Sequence, residues 1–287
     1  MDENKAVLVL RHIDRIPSLS PTVAKIIQVA NSPTSSANDL NKVISLDPVL
    51  AAKVLKLVNS AYFGFADKVT STVRAIVVLG LNTIKNLALS TAALETMSIK
   101  GKSAFDMDDF WKHLLGTGVT AKLIARKMGV NKDLLEDYFL AGLMHDMGKI
   151  VLNRMNPEAY KKVIDACATR ELNLYSVEEK IFGINHAEIG ELLGQKWGLQ
   201  SQLVEAMAYH HEPHLASDEN HKIVLAVHVA NVFTRKQGVG NSGNTYNYRV
   251  RDELLEDLNL DEESLEELSG YLIEGVERAS VFLQTSR

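Results

Sequence analysis

The sequence predicts an all-α protein. Three observations carry this. The apolar residues of nearly every segment recur with a helical period of about 3.6 residues, no run alternates convincingly as a strand would, and the connections are short and marked by helix starts and stops. Apolar residues make up 46% of the 287 and charged residues 23%, ample for a sizeable buried core.

The elements follow in order. VAKIIQVA places Val23, Ile26, Ile27 and Ala30 on one stripe, and Leu40, Val43 and Ile44 form the next. Asp47-Pro48 is a helix start, because Asp can cap the free amides and Pro suits the first helical position. The helix it opens is expected to stay periodic to Phe63 and to end at Gly64. TVRAIVVLG and NTIKNLALSTAALETM form a pair split at Gly80, with Asn82 as the cap of the second. IVVLG is the most strand-like stretch, but its setting favours a buried helix. These elements make an N-terminal helical subdomain, residues 1–105. A second group, residues 106–287, runs from MDDFWKHLLGTGVTAKLIARKMG through LLEDYFLAGLMHDMGKIVLNRM, HAEIGELLGQKWG and SQLVEAMAYHH to KIVLAVHVANVFTRK. QGVGNSGNTYNY, rich in Gly and Asn, is expected to be a mobile loop before two closing helices. Asp257, Asp261, Glu262, Glu263, Glu266 and Glu267 read as the solvated face of those helices.

Composition excludes several classes. A net charge of −5 argues against non-specific nucleic-acid binding, which wants a basic stripe. No run is expected to be apolar over the roughly 20 residues that a bilayer requires, so no membrane partner is expected. The start, MDENKAVLVLRHIDRIPSL, lacks the features of a secretory signal, and cytoplasm is the expected location. Cys167 is the single cysteine and offers neither a disulfide nor a Cys-rich zinc pattern. No phosphate-binding loop, dinucleotide fingerprint or tandem repeat stands out.

The histidines carry the chemistry. Asp109 and His113 are four apart, which predicts that both project from one helix face. His145 and Asp146 end the apolar run FLAGLMHD, and Lys149 follows one turn on. His186 opens one helix, and His210-His211 close another. A single His on a helix is usually exposed or a satisfied core residue. The ordered set differs, because each member starts or ends an apolar helix, where a shared cleft can form. Imidazole nitrogens and carboxylates suit first-row divalent ions, and helical bundles build metal sites from several facing helices. A carboxylate can bridge two such ions, and a nearby Lys can neutralise a phosphate oxygen. His12, His214, His221 and His228 fall outside the set and read as structural or exposed.

With these residues in place, the second half resembles the HD superfamily of metal-dependent phosphohydrolases, and its order is similar to the HD-GYP cyclic-dinucleotide phosphodiesterases. The resemblance implies an HD-domain-like multi-helix bundle. It implies metal ligation by Asp109, His113, His145, Asp146, His186, His210 and His211, with Lys149 on the phosphate side. The last ligand position of HD enzymes falls on Asn231, in HVANVF, which is a weaker ligand than Asp for a dication. The N-terminal half resembles the HDOD module, the HD-related output domain of bacterial signalling proteins, in its DP-x-L helix start, its NSAYFG helix end and AIVVLGLNTIKNL. The VAN form of HVANVF is also usual in that family. Together the two resemblances suggest one continuous module over about residues 15–235.

HDOD modules are generally regarded as signalling outputs that have lost catalysis, and EPHLASDENH after His211 lacks the loop motif of HD-GYP enzymes. The expectation is therefore a bacterial signal-transduction output module that binds one or two divalent ions (Fe, Mn, Zn or Ni). It would act on an unidentified signalling protein, with input from another protein or a ligand. The alternative is a metal-dependent phosphohydrolase acting on a nucleotide or cyclic dinucleotide, in which Asp146 bridges the ions and Lys149 steadies the phosphate.

Overall fold

The computed structural model describes residues 18–286 except 33, 100, 171 and 245–248; His12 and the last part of the Gly/Asn-rich segment lie outside the described residues. Among the described residues the regular structure is helical, with no strand.

Side-chain caps set where the first helices begin. Ser20 caps α1 (Pro21–Ala30), Ser36 and Asp39 form a capping box on α2 (Ala37–Ile44), Asp47 caps α3 (Pro48–Val58), and Ser71 caps α4 (Thr72–Thr96). Their apolar stripes, including Ile26, Leu40, Ile44, Val54 and Leu57, pack against α4. The expected run of α3 to Phe63 is corrected. Asn59 stops the helix at Val58 by exchanging two hydrogen bonds with the backbone of Val69, at 2.8 and 2.7 Å.

α4 breaks at Gly80, which has φ 83° and ψ 161°, as the sequence suggests. Asn82 is no cap: its amide bonds the Asp133 carbonyl and the Asp137 carboxylate. The IVVLG stretch is helical but not buried throughout, since Val77 is 73% exposed. Its turn precedes the break with Val77 and Val78 toward solvent, while Ala75, Ile76 and, in part, Leu79 reach the core. The expectation of no membrane-length segment is also corrected. Thr72–Thr96 is long and apolar enough by length and composition, and two thirds (67%) of its most apolar window is buried inside the protein.

The second group contains α5 (Met107–Lys127), α6 (Leu135–Met144), α7 (Met147–Met155), α8 (Pro157–Arg170), α9 (Leu174–Phe182), α10 (His186–Lys196), α11 (Ser201–Tyr209) and α12 (His221–Lys236). α5 lies along α6 and α12, while α10 is packed between α7 and α11. Four short helices close the chain in place of the expected two: α13 (Asp252–Glu256), α14 (Glu262–Glu266), α15 (Ser269–Ala279) and α16 (Val281–Ser286). Asn259, in the left-handed region at φ 55°, and the Asp261–Ser264 capping box divide α13 from α14. The acidic side chains of this segment are exposed, as expected of a solvated face. α15 packs on α5, and α16 returns to α3 and α4.

One apolar core runs from Leu19 to Phe282, so both halves of the chain share it. Phe282 sits against Tyr62 and Phe139, with ring centroids 5.2 and 5.0 Å away. Polar bridges pin the same junction. The Tyr62 hydroxyl donates to Glu136, which also pairs with Lys122. Buried Asp137 accepts from Asn82 and Asn86, at 2.9 and 2.7 Å, beside Lys85, whose ammonium bonds Gln200. Burial lowers the Lys85 pKa, and Asp137 opposes that shift. Asp137→Ala leaves two amides and a buried ammonium without their carboxylate. It should lower stability by about 2–4 kcal/mol, read as a fall in the denaturation midpoint at unchanged m-value.

Candidate metal centre

Helix ends build the site. His113 projects from α5, and the break between α6 and α7 holds His145 and Asp146. Asp146 is the residue before α7 but makes no capping hydrogen bond, which leaves its carboxylate for the interior. α7 meets α10 closely at Gly148, where any side chain would overlap the His186 carbonyl. The Asn185–Glu188 capping box starts α10 at His186, and His210-His211 follow the last turn of α11.

The carboxylate of Asp146 is the centre. Its Oδ1 lies 3.2 Å from His186 Nε2 and 3.5 Å from His210 Nε2. His186 Nε2 is in turn 3.4 Å from His210 Nε2 and 2.9 Å from His211 Nε2. The other oxygen, Oδ2, faces His145 Nε2 at 3.3 Å, His113 Nε2 at 3.8 Å and Lys149 Nζ at 2.7 Å. Two donor groups, Asp146–His186–His210–His211 and His113–His145–Asp146, therefore share one residue. All of these side chains are buried except His211, which is partly exposed under the stacked ring of Tyr175.

The donor set fits a divalent ion. His145, His186 and His210 each direct Nδ1 to an acceptor, respectively the Gly142 carbonyl at 2.6 Å, Glu178 Oε2 at 2.6 Å, and the Ala206 and Met207 carbonyls at 3.1 Å. That arrangement places the proton on Nδ1 and turns the Nε2 lone pair inward, as ligating imidazoles require. With metal–nitrogen distances of about 2.0–2.1 Å, the edges of a tetrahedron or octahedron measure about 2.9–3.4 Å, close to those around Oδ1. His145 Nε2, Asp146 Oδ1 and both His113 nitrogens are buried without a hydrogen bond. Unpaired buried polar atoms are costly, and a cation satisfies them together.

The electrostatics agree. Burial, then the neighbouring histidines, holds His211 well below the ordinary imidazole range, and His113 is lowered in the same way. Burial lowers His210 to about 3. His186 is raised, because Glu178 and Asp146 outweigh its burial. Burial pushes Asp146 up, but His145 and Lys149 prevail and hold it well below the carboxylate range. An ionised carboxylate beside His113, His210 and His211, whose shifts favour the neutral imidazole, is protonation that suits metal binding.

His113, His145, Asp146, Lys149, His186, His210 and His211 come together as the sequence suggests. Asp109 does not. Its side chain is 48% exposed and pairs with Lys112 at 3.4 Å. Side chains tilt toward a helix's N-terminus, so in the first turn of α5 this one leans into solvent although His113 points inward. Asn231 is buried on α12, its Oδ1 without a hydrogen bond. His228 is structural, its Nδ1 bonding the His210 carbonyl at 2.8 Å, and His214 is exposed.

Two contributors escape sequence reasoning. Glu178, buried in α9, accepts from both the backbone amide and Nδ1 of His186 and from the Tyr160 hydroxyl. Its signal is positional, a carboxylate on the apolar stripe with Leu174 and Val177. Ser242 is the other, and it corrects the expectation of a mobile loop for the described part of that segment. Gly240, at φ 66°, lies where a side chain would overlap the Asp109 carbonyl and the His113 amide. Asn241 donates to the Asp109 carbonyl at 3.0 Å. Ser242 is 2% exposed and accepts from Lys149 Nζ through both its carbonyl and Oγ, at 3.2 Å each. Glu178→Gln should weaken divalent-ion affinity about 10–100-fold in a chelator-competition titration, because a neutral amide no longer orients His186. Unchanged affinity would contradict that role.

The HDOD domain family matches residues 16–213. An uncharacterized protein of Treponema pallidum (strain Nichols) is 29% identical over 234 residues, 80% of this chain and 44% of that relative. The chain thus spans less than half the length of that curated relative. Among solved structures, an HDOD domain protein of unknown function from Geobacter sulfurreducens has a TM-score of 0.79 at 24% identity, covering 97% of each chain. A protein of Marinobacter aquaeolei VT8, provisionally named for signal transduction, has a TM-score of 0.76 at 21% identity, covering 98% of this chain and 65% of its own. Likeness at these identities is likeness of fold.

Proposed function

This chain belongs to the HDOD family, and from that premise we propose that it is a bacterial signal-transduction module whose buried centre holds a divalent transition-metal ion and which acts by contact with another protein. The observation that carries this reading is a shared imidazole–carboxylate donor set that is almost wholly buried. Asp146 and four of the five histidines are buried, and the Ser242 segment and Tyr175 cover them.

When bound, a divalent ion supplies a concentrated positive charge and Lewis acidity at Asp146. The side chains do the rest. The Nδ1 acceptors fix the imidazoles, and Glu178 adds negative charge behind His186. Lys149, which could bind a phosphate oxygen, is instead committed to Asp146 and Ser242. Asn231 brings no negative charge where HD enzymes carry a carboxylate. A centre organised this way holds a cation and steadies the helix ends around it, with its lysine engaged inside the site rather than held out to a phosphoester. Iron, manganese, zinc and nickel all suit imidazole–carboxylate donors.

One observation favours a second reading. Two donor groups sharing one carboxylate are the arrangement of a two-metal hydrolase. In that case Asp146 would bridge, Lys149 would swing from Ser242 to a phosphate oxygen, and the substrate would be a nucleotide or cyclic dinucleotide.

Protein purified without a histidine tag or chelators should contain stoichiometric transition metal by elemental analysis. Stripping the ion should lower the melting temperature by several degrees, because a ligand that binds only the folded state stabilises it. Against a panel of phosphodiesters, nucleotides and cyclic dinucleotides, the loaded protein should match Asp146→Ala. Turnover well above that control would establish the hydrolase reading instead.

A further inference from the structure

We infer that the centre takes one divalent ion, on the Oδ1 side of Asp146, and that Lys149 is the residue that excludes a second. The inference rests on the metal-binding reading above and goes beyond it by making the two halves of the site unequal.

Geometry separates the halves. On the Oδ1 side His186 Nε2 and His210 Nε2 stand 3.2 and 3.5 Å from the carboxylate, and His211 joins them through His186 Nε2 at 2.9 Å. Around Oδ2 the His113 contact opens to 3.8 Å, and the nearest atom is an ammonium at 2.7 Å. That ammonium is fully engaged. A lysine has three N–H donors, and Lys149 has three acceptors in reach: Asp146 Oδ2, the Ser242 carbonyl and Ser242 Oγ.

Charge separates them further. Asp146 is the one carboxylate in either donor group, and Glu178 stands behind His186, on the Oδ1 side. A dication at Oδ2 would face the Lys149 ammonium within a buried pocket and bring no new anion with it. Like charges at such separations repel strongly where water is excluded. Lys149 therefore does the work of a second cation. Because it also holds Ser242, an ion entering at Oδ2 must displace it and free the 238–244 segment from the mouth of the centre.

Titration of the metal-free protein with Mn2+, followed by electron paramagnetic resonance and by calorimetry, tests this. Wild type should take one equivalent and show the six-line signal of an isolated ion. Lys149→Met, which keeps an unbranched side chain one atom shorter and removes its charge, should take a second equivalent at least tenfold more tightly than wild type. It should also give the signal of an exchange-coupled pair and faster amide exchange over residues 238–244. Ser242→Ala retains the contact between Lys149 and Asp146 and should stay at one equivalent. Two equivalents of similar affinity or a coupled pair in wild type overturn the inference while leaving the metal-binding reading intact, and they decide the matter even if the Lys149 variant fails to fold. A folded Lys149→Met that still takes one ion overturns it too. No binding by wild type of Mn2+, nor of Fe2+, Zn2+ or Ni2+ in the same calorimetric titration, removes the metal-binding reading and the inference with it.

Discussion

A carboxylate removed from water costs several kcal/mol unless cations or donors meet it, and Asp146 is fully buried. Much of the second half of the chain is arranged around that charge. The α6–α7 break directs the carboxylate inward, Lys149 meets one oxygen, and His186 and His210 approach the other. Glu178 then answers His186, and Tyr160 answers Glu178, so the polar chain runs outward from the carboxylate. Such a network is worth more complete than partial, which is why its outer residues matter as much as the ligands.

The fold makes this possible by meeting at helix ends. A helix interior has no spare backbone groups, whereas its termini leave amides and carbonyls unpaired. His145 and His210 use those leftover carbonyls as acceptors for Nδ1, so the backbone itself sets their tautomers. Gly148 lets two such ends touch. The same economy serves away from the centre, where Asn59 ends α3 and anchors Val69 with a single side chain.

How much of this is legible in the sequence depends on whether the information is local. The helical period, Asp47 as a cap, the break at Gly80 and the placement of His145, His186 and His210–His211 at helix ends are all local, and the structure repeats them, whereas His113 lies inside α5. Asp109 misleads because a four-residue spacing fixes a shared face but not its depth, and the first turn of α5 reaches solvent. Glu178 hides because a carboxylate on an apolar stripe has meaning only once its partner, eight residues on, is known to fold back on it. Ser242 is 93 residues from Lys149, and no local pattern joins them. The division of the closing helices turned on Asn259, whose left-handed backbone is an option for any asparagine and a certainty for few.

The return of α16 to α3 and α4 bears on how the protein is made. Phe282, near the end of the chain, fills the space between Tyr62 and Phe139. Contacts that span so much of the sequence form slowly, because a long loop must close first. On the ribosome the N-terminal helices emerge early, with the surface meant for Phe282 still open. Until α16 is made and folds back, the core between Tyr62 and Phe139 stays unsealed, although every ligand of the centre lies upstream of it.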